Sequence, residues 1–380
     1  VVAWTHADEG EYGDQVVATR VDPQGTVLDP SGIPITAADE QDEYFTHIVV
    51  GSDGQVAVLL FTRGIHEGSH GSYRVRIDPQ DGEVLDVEQV VLADRSFGHS
   101  ITVAPAPSLA VYADDSTDDE AGHDTFIAAT RLAPGGDALD EPGILLSRSA
   151  NAQFMPSVSF DGEHVLVVWA DHRNYDPENF IDIYGARFDD DGALLDPGGI
   201  PIRKAKGWNV APRALFDGKN HDVVSPRAWA IPFDGDIWPA MELVRVSPGG
   251  ALLGAQPLQL PFDQVDEQPL AAIWNGSKTL LAGINHGAWA QDVDLVRVTQ
   301  AGALYGQPKR FTPPFMWNWV SLSHGGVGTL LAGGSEYGEH GLVASRLDST
   351  GKLLDPQWLK VSSPTVAVGR AAIATSGSLH

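Results

Sequence analysis

A hairpin that recurs seven times constrains this chain more than any other feature. Its clearest copy is Ile181–Ile202, IDIYGARFDDDGALLDPGGIPI. Ile183, Gly185 and Arg187 alternate with Tyr184, Ala186 and Phe188, the period of a half-buried strand. Asp189-Asp190-Asp191-Gly192 then supplies turn chemistry. Ala193–Leu195 opens the return, and Ile200-Pro201-Ile202 completes it. Pro201 has no N–H for a ladder, so this last strand is expected at a sheet edge. The pattern returns as ATRVDPQGTVLDPSGIPI, RVRIDPQDGEVLD, TRLAPGGDALDEPGILL, VRVSPGGALLG, VRVTQAGALYG and SRLDSTGKLLD. The arginine before each turn keeps the register: Arg20, Arg76, Arg131, Arg187, Arg245, Arg297 and Arg346, at steps of 49 to 58 residues.

Two more strands precede each hairpin; in the fourth copy they are PSVSF (156–160) and VLVVW (165–169). Four strands per unit, seven units and no helical period predict an all-β fold, a seven-bladed β-propeller of four-stranded antiparallel blades. Within a blade the strands are lettered A to D in repeat order. The chain opens on VVAW, a B strand, and ends on RAAIATS, an A strand. The two are expected to pair in blade one, closing the ring and covering otherwise open edges. Residues 1–380 therefore read as one β-propeller domain, although length alone would suggest two or three.

The net charge of −27 disfavours nucleic-acid phosphates and anionic membranes as partners. The longest apolar run is six residues, as at 165–170, far short of the roughly 20 that a membrane helix needs. No cysteine is present, which excludes disulfides, thiolate metal sites and a cysteine nucleophile. That absence suits extracellular bacterial proteins and many cytoplasmic ones alike. The acidic, Gly- and Pro-rich repeats tip the expectation to a secreted or cell-surface setting. The start at Val1, without methionine or signal peptide, suggests a processed or excised chain.

The repeats VVWADHR (167–173), DIYGAR (182–187) and DGALLDPGGIPI (191–202) resemble those of a family of bacterial secreted propeller proteins. The resemblance covers essentially the whole chain. It implies the propeller fold and a surface or extracellular setting, often within longer chains, and is nearly silent on activity. Blades five to seven depart from it: Ser225, Gly283 and Gly333 stand where blade four has Trp169.

B–C loops and D–A links leave a blade on one face, A–B and C–D turns on the other. The C–D turns are short and alike, so that face reads as structural. The B–C loops are long and unlike one another, which makes theirs the candidate face. Aligned starts of the A strands are Arg370, His47, His99, Pro156, Pro212, Pro269 and Trp319; aligned ends of the B strands include His6, Arg63 and Arg227. By this register Arg370, His6, His47, Arg63 and His99 gather in blades one to three, either as an anion site or as ordinary solvated strand ends. Six tryptophans, Trp208, Trp229, Trp238, Trp289, Trp317 and Trp319, fall on the same face of blades four to seven. They are read either as a sugar-stacking platform, with Trp289, Trp317 and Trp319 foremost, or as packing within long loops.

No metal centre or cofactor is expected. The acidic B–C loop from Asp114 to Asp124 could hold calcium or be a solvated acidic loop. G-x-S-x-G, H-E-x-x-H and P-loop motifs are absent from the sequence. Three readings follow. One is an extracellular protein binding a glycan or a protein partner through its loop-rich face, in an oligomeric state the sequence leaves open. The second is a lyase or hydrolase of acidic, uronate-containing glycans, with Arg370 or Arg63 neutralising the carboxylate and His47 or His99 taking the proton. The third is a structural module of a larger surface assembly.

Overall fold

The computed structural model describes the chain except for residues 8–14, 37–42, 53–55, 66–69, 87–89, 94–95, 103–107, 115–124, 134–136, 141–142, 148, 150, 176–180, 190, 205–207, 210, 229–239, 263–264, 287–290, 326–327, 336–339, 356, 363–366 and 375–380. Within some strands only the backbone is described, including His6, His47, Arg63, His99, Trp208 and Arg370.

Every described element is a strand or a turn, and the strands form seven antiparallel sheets. In blade four the order is Gln153–Phe160, Val165–Asp171, Asp182–Phe188 and Ile200–Arg203. Pro201 lies in the outermost of these, as its missing N–H requires. The A strands face one another in succession around the ring. Ala367–Ile373 supplies the A strand of blade one and pairs with Val2–Ala7, so the two ends of the chain complete one sheet. The protein is a closed seven-bladed β-propeller.

The alternation in each strand dictates where the core sits. Side chains from both faces of each sheet meet those of the next blade, and the buried apolar residues fall into seven clusters, one per seam. The seam between blades three and four joins Val111, Ile127 and Leu146 to Val165, Val167 and Trp169.

The marker arginines have a physical role. Each lies at the end of a C strand and reaches out of its own blade. Arg131 Nη1 donates to Asp191 O at 2.8 Å, Arg187 Nη1 to Pro248 O at 2.9 Å, and Arg297 Nη1 to Thr350 O at 3.1 Å. Arg20 reaches Gln80 O in the same way, Arg245 Nη2 reaches Gln300 O at 2.7 Å, and Arg346 Nη1 reaches Pro23 O at 3.2 Å across the closing seam. Arg76 instead faces the Asp137 carboxylate, at 3.7 Å. The glycine of the next turn makes room. Gly192 has φ +82°, and a Cβ there would meet the Arg131 side chain at 3.1 Å. One arginine per blade thus clasps the following turn, all the way round.

Candidate ligand-binding site

The loop-rich face is where the blades differ, and the difference centres on the Trp169 position of the B strand. In blade four Trp169 is wholly buried and Nε1 donates to Asp171 Oδ2 at 2.8 Å. Asp171 also accepts from Arg173, at 2.9 Å from Nε and 2.7 Å from Nη2. The guanidinium lies 3.8 Å from the centroid of Tyr184, which pairs with Trp169 across the strands. Trp169 and Asp171 stand at alternate positions on one strand face, and Arg173 follows in the turn beyond the strand end. The motif WADHR is a self-satisfied lock, and its arginine also reaches Gly198 O and Ser147 Oγ.

Blade five replaces this lock with an ion cluster. Ser225 takes the tryptophan position, and its cross-strand partner is Glu242 where blade four has Tyr184. Glu242 is buried and accepts from Arg203 Nε at 2.7 Å, Gln259 Nε2 at 2.8 Å and Arg227 Nη1 at 3.3 Å. Arg203 belongs to the D strand of blade four, so the cluster bridges two blades. Burial would raise the Glu242 carboxyl, but its bonds to Gln259 and Arg203 and the charge of Arg227 hold it below the usual range. Blade six repeats the exchange. Gly283 takes the tryptophan position opposite Asp294, which accepts from Asn285 at 3.0 Å and from Arg310 at 2.7 and 2.8 Å. Half of the Arg310 side chain, 52%, faces solvent.

Blade seven fills the position differently. A Cβ on Gly333 would lie 2.0 Å from Trp317 Cε3, because the indole of Trp317 occupies the space a strand tryptophan would take. Trp317 is wholly buried and meets Trp358 edge-on at 5.0 Å. Trp319 is 5% exposed, with Nε1 3.4 Å from Val368 O. The expectation that these two indoles form an open sugar platform is therefore corrected. Strand glycines opened sockets that the preceding link fills, and both rings are core. Trp289, Trp229 and Trp238 lie outside the described residues, as do residues 115–124 of the acidic loop. Among the described residues no group of three acidic or histidine side chains is placed to hold a metal.

The backbone places the cationic candidates, whose side chains lie outside the described ones. In blades one to six the A strand breaks register near its start; in blade seven it does not. Arg370 falls in that break between Val368 and Ala371, and His47 between Phe45 and Ile48. His99 lies one step beyond its break and pairs with Tyr112. His6 pairs with Gln15 and Val368, and Arg63 with Phe45 and Gly71. In blades four and five the break holds a left-handed residue before proline, Met155 at φ 53° and Ala211 at φ 44°, a conformation that side chains rarely adopt. Arg227, the described member of the ligand-binding set beside the two tryptophans, is the Glu242 partner already given.

Sequence reading missed a second polar chain, at the opposite end of the same seam. His221 is wholly buried, with Nδ1 2.7 Å from Ser159 Oγ and Nε2 3.4 Å from Asp161 Oδ2. Burial would raise the Asp161 carboxyl, yet His221 and two backbone amides hold it at about 2. The residue types are those of a hydrolytic triad, but both Ser159 and His221 are buried, so the chain serves as a polar joint between blades four and five. No signal marks it in the sequence, because His221 lies 62 residues from Ser159 and in the next blade.

No family model and no curated protein matches the chain. Solved structures do. A putative 6-phosphogluconolactonase from Bacteroides uniformis aligns with TM-score 0.59 at 12% identity, covering 97% of each chain. A second, from Bacteroides fragilis, gives 0.54 at 16% identity over 97% of each chain. A puromycin-hydrolysing peptidase from Mycobacterium tuberculosis gives 0.52 at 14% identity, covering 97% of this chain and 54% of its own. At such identities the likeness is one of fold: this chain is similar to proteins described with quite different activities.

Proposed function

We propose that the protein is a secreted or cell-surface binding protein that recognises a glycan through the loop-rich face, in the sector of blades four to six. One observation carries the reading. In blades five and six the tryptophan lock of the B strand gives way to buried acids held by arginines and amides, and all three arginines, Arg203, Arg227 and Arg310, keep part of their side chains open, at 17%, 17% and 52%. Planar, hydrogen-bonding side chains fixed on rigid strands suit hydroxyl-rich ligands. On the opposite face every blade keeps its arginine clasped to the following turn. Cofactors have no part in this reading, and nucleic acid is disfavoured by the charge of −27. Cleavage of an acidic glycan at the channel mouth is the second reading, favoured by the placement of Arg370 and His47 in the breaks of adjacent A strands.

A glycan array followed by incubation with the best-bound oligosaccharide tests both. The binding reading expects saturable binding with no new chain ends. Accumulating unsaturated or reducing ends would favour cleavage. An array without hits would leave a protein partner or a structural role.

A further inference from the structure

We infer that the C–D turns of blades five and six form a docking surface for a second copy of this chain, giving a two-fold dimer. This surface lies on the face opposite the proposed glycan site and does not depend on it. Residues 247–261 and 299–308, fifteen and ten in a row, contain no charged side chain. Each of the other five C–D turns carries at least two acids, such as Asp22 and Asp29 in blade one or Asp348 and Asp355 in blade seven. Exposed apolar residues stand here instead: Leu252 at 45%, Leu253 at 38%, Leu304 at 41% and Tyr305 at 46%. They are four of the twelve large apolar side chains exposed among the described residues.

The two turns adjoin. Arg245 of blade five donates to Gln300 O in the turn of blade six at 2.7 Å, and a Cβ on Gly302 would meet the same side chain at 2.9 Å. Val84, Leu194 and Leu353 hold the hairpin position of Leu252 and Leu304, and each packs toward the preceding blade. Leu304 therefore stands on the blade-five side of its hairpin, and Leu253, one residue past Leu252, on the blade-six side. These two flank the seam, with Leu252 and Tyr305 beyond them. The extent fits, since one side of a standard interface holds about 20–30 residues, and its core is depleted of charge. Charge also selects the occupant. With 51 acids against 24 bases, two copies repel over most of their surface. Here they can meet without setting acid against acid. The bordering charges are cations, Lys278 at 4.4 Å over the Tyr305 ring and Lys309 directly after the second stretch. A basic partner would be drawn to the acidic turns of the other blades instead. A two-fold axis sets the Leu253–Leu304 seam of one copy against the same seam of the other, which closes the assembly at two.

Sedimentation velocity of the whole chain, from about 1 to 100 μM, tests this. The expected result is a dimer at the top of that range, tightened by added salt as the repulsion between acidic copies is screened. Leu253→Asp and Leu304→Asp should each weaken it by about tenfold or more. Both positions are exposed, so each variant should keep the wild-type melting temperature in dilute solution. Leu85→Asp, at the position of Leu253 but in blade two, should leave the dimer intact. A wild type that stays monomeric at the top of the range overturns the proposal. So does a dimer that neither Leu253→Asp nor Leu304→Asp weakens, one that Leu85→Asp weakens as much, or one that salt dissociates. None of these results bears on glycan binding.

Discussion

Blades one to four and blades five to seven share a backbone but differ at one position of the B strand. Trp4, Phe61, Tyr112 and Trp169 fill it in the first group, and all four are buried. Ser225, Gly283 and Gly333 stand there in the second. The space does not stay empty: an acid with its arginines fills it in blades five and six, and Trp317 from the preceding link fills it in blade seven. The clasp arginines divide along nearly the same line. Arg20, Arg76, Arg131, Arg187 and Arg346 each pair with an aspartate of their own hairpin. Blades five and six have Gly254 and Gly306 at that aspartate's place. Arg245 turns to Asp217 and Asp222 instead, and Arg297 to Gln307 O. The scaffold thus tolerates exchange of its locks provided each seam stays filled.

The largest effect expected from breaking this comparison is at Trp317. Trp317→Ala empties a core site and should cost about 3–5 kcal/mol in urea unfolding. Adding Gly333→Trp to it should recover part of the loss by restoring the arrangement of blades one and four. If the pair is simply additive, Trp317 is not the substitute for a strand tryptophan.

Next is Glu242→Ala, which leaves Arg203 and Arg227 without their shared acid. A loss of about 2–3 kcal/mol is expected, below the ~3–5 of a fully buried pair because both arginines retain some solvent. Wild-type stability should also fall on acidification. The folded-state carboxyl is depressed, so its contribution is present above the ordinary value of 4.5 and is lost as pH drops through the lower folded value. Glu242→Gln should flatten that part of the profile.

Asp222 has the opposite sign. Burial raises its carboxyl, against the bond from Thr279, with Asp217 adding to the rise. The folded state therefore holds this proton more tightly than the unfolded chain, and stability is lost as pH rises from 3.8 through the folded value. Asp222→Asn should narrow the gap in melting temperature between pH 4 and pH 7, measured by calorimetry. An unchanged gap would show that Asp222 ionises in the fold as it does in the unfolded chain.

The clasps should show the smallest effects. Arg346→Ala removes a partly exposed ion pair and the bond to Pro23 O, for about 1 kcal/mol. Arg297→Ala removes bonds to two neutral carbonyls and the contact with the Tyr305 ring, and should cost about the same.

Much of the architecture was legible in the sequence. Period-2 alternation, turn residues and a single arginine fix seven hairpins, and the mismatched ends specify how blade one closes. The same arginine served there only as a ruler; its role needs the next blade's turn, some fifty residues away. Loss of the B-strand aromatic at Ser225, Gly283 and Gly333 was equally visible. What replaced it was not, because Glu242 and Arg203 lie on different blades and Trp317 lies in a link where tryptophans read as exposed. A link residue takes its burial from the socket beneath it, and a socket made by two glycines has no local signature. Of the cationic set, Arg370, His47 and His99 stand on the A strands of three adjacent blades and His6 and Arg63 on B strands, and its chemistry belongs to the tests above.

The central claim, that the ionic lock of blade five exists for binding rather than for folding, has a direct test. Ser225→Trp with Glu242→Tyr rebuilds the aromatic pair of blade four in the neighbouring blade. The account predicts a protein that still melts cooperatively, within a few degrees of wild type, and has lost its affinity for the best-bound oligosaccharide of the glycan array. A cooperatively folded double variant that binds that oligosaccharide as the wild type does would contradict it.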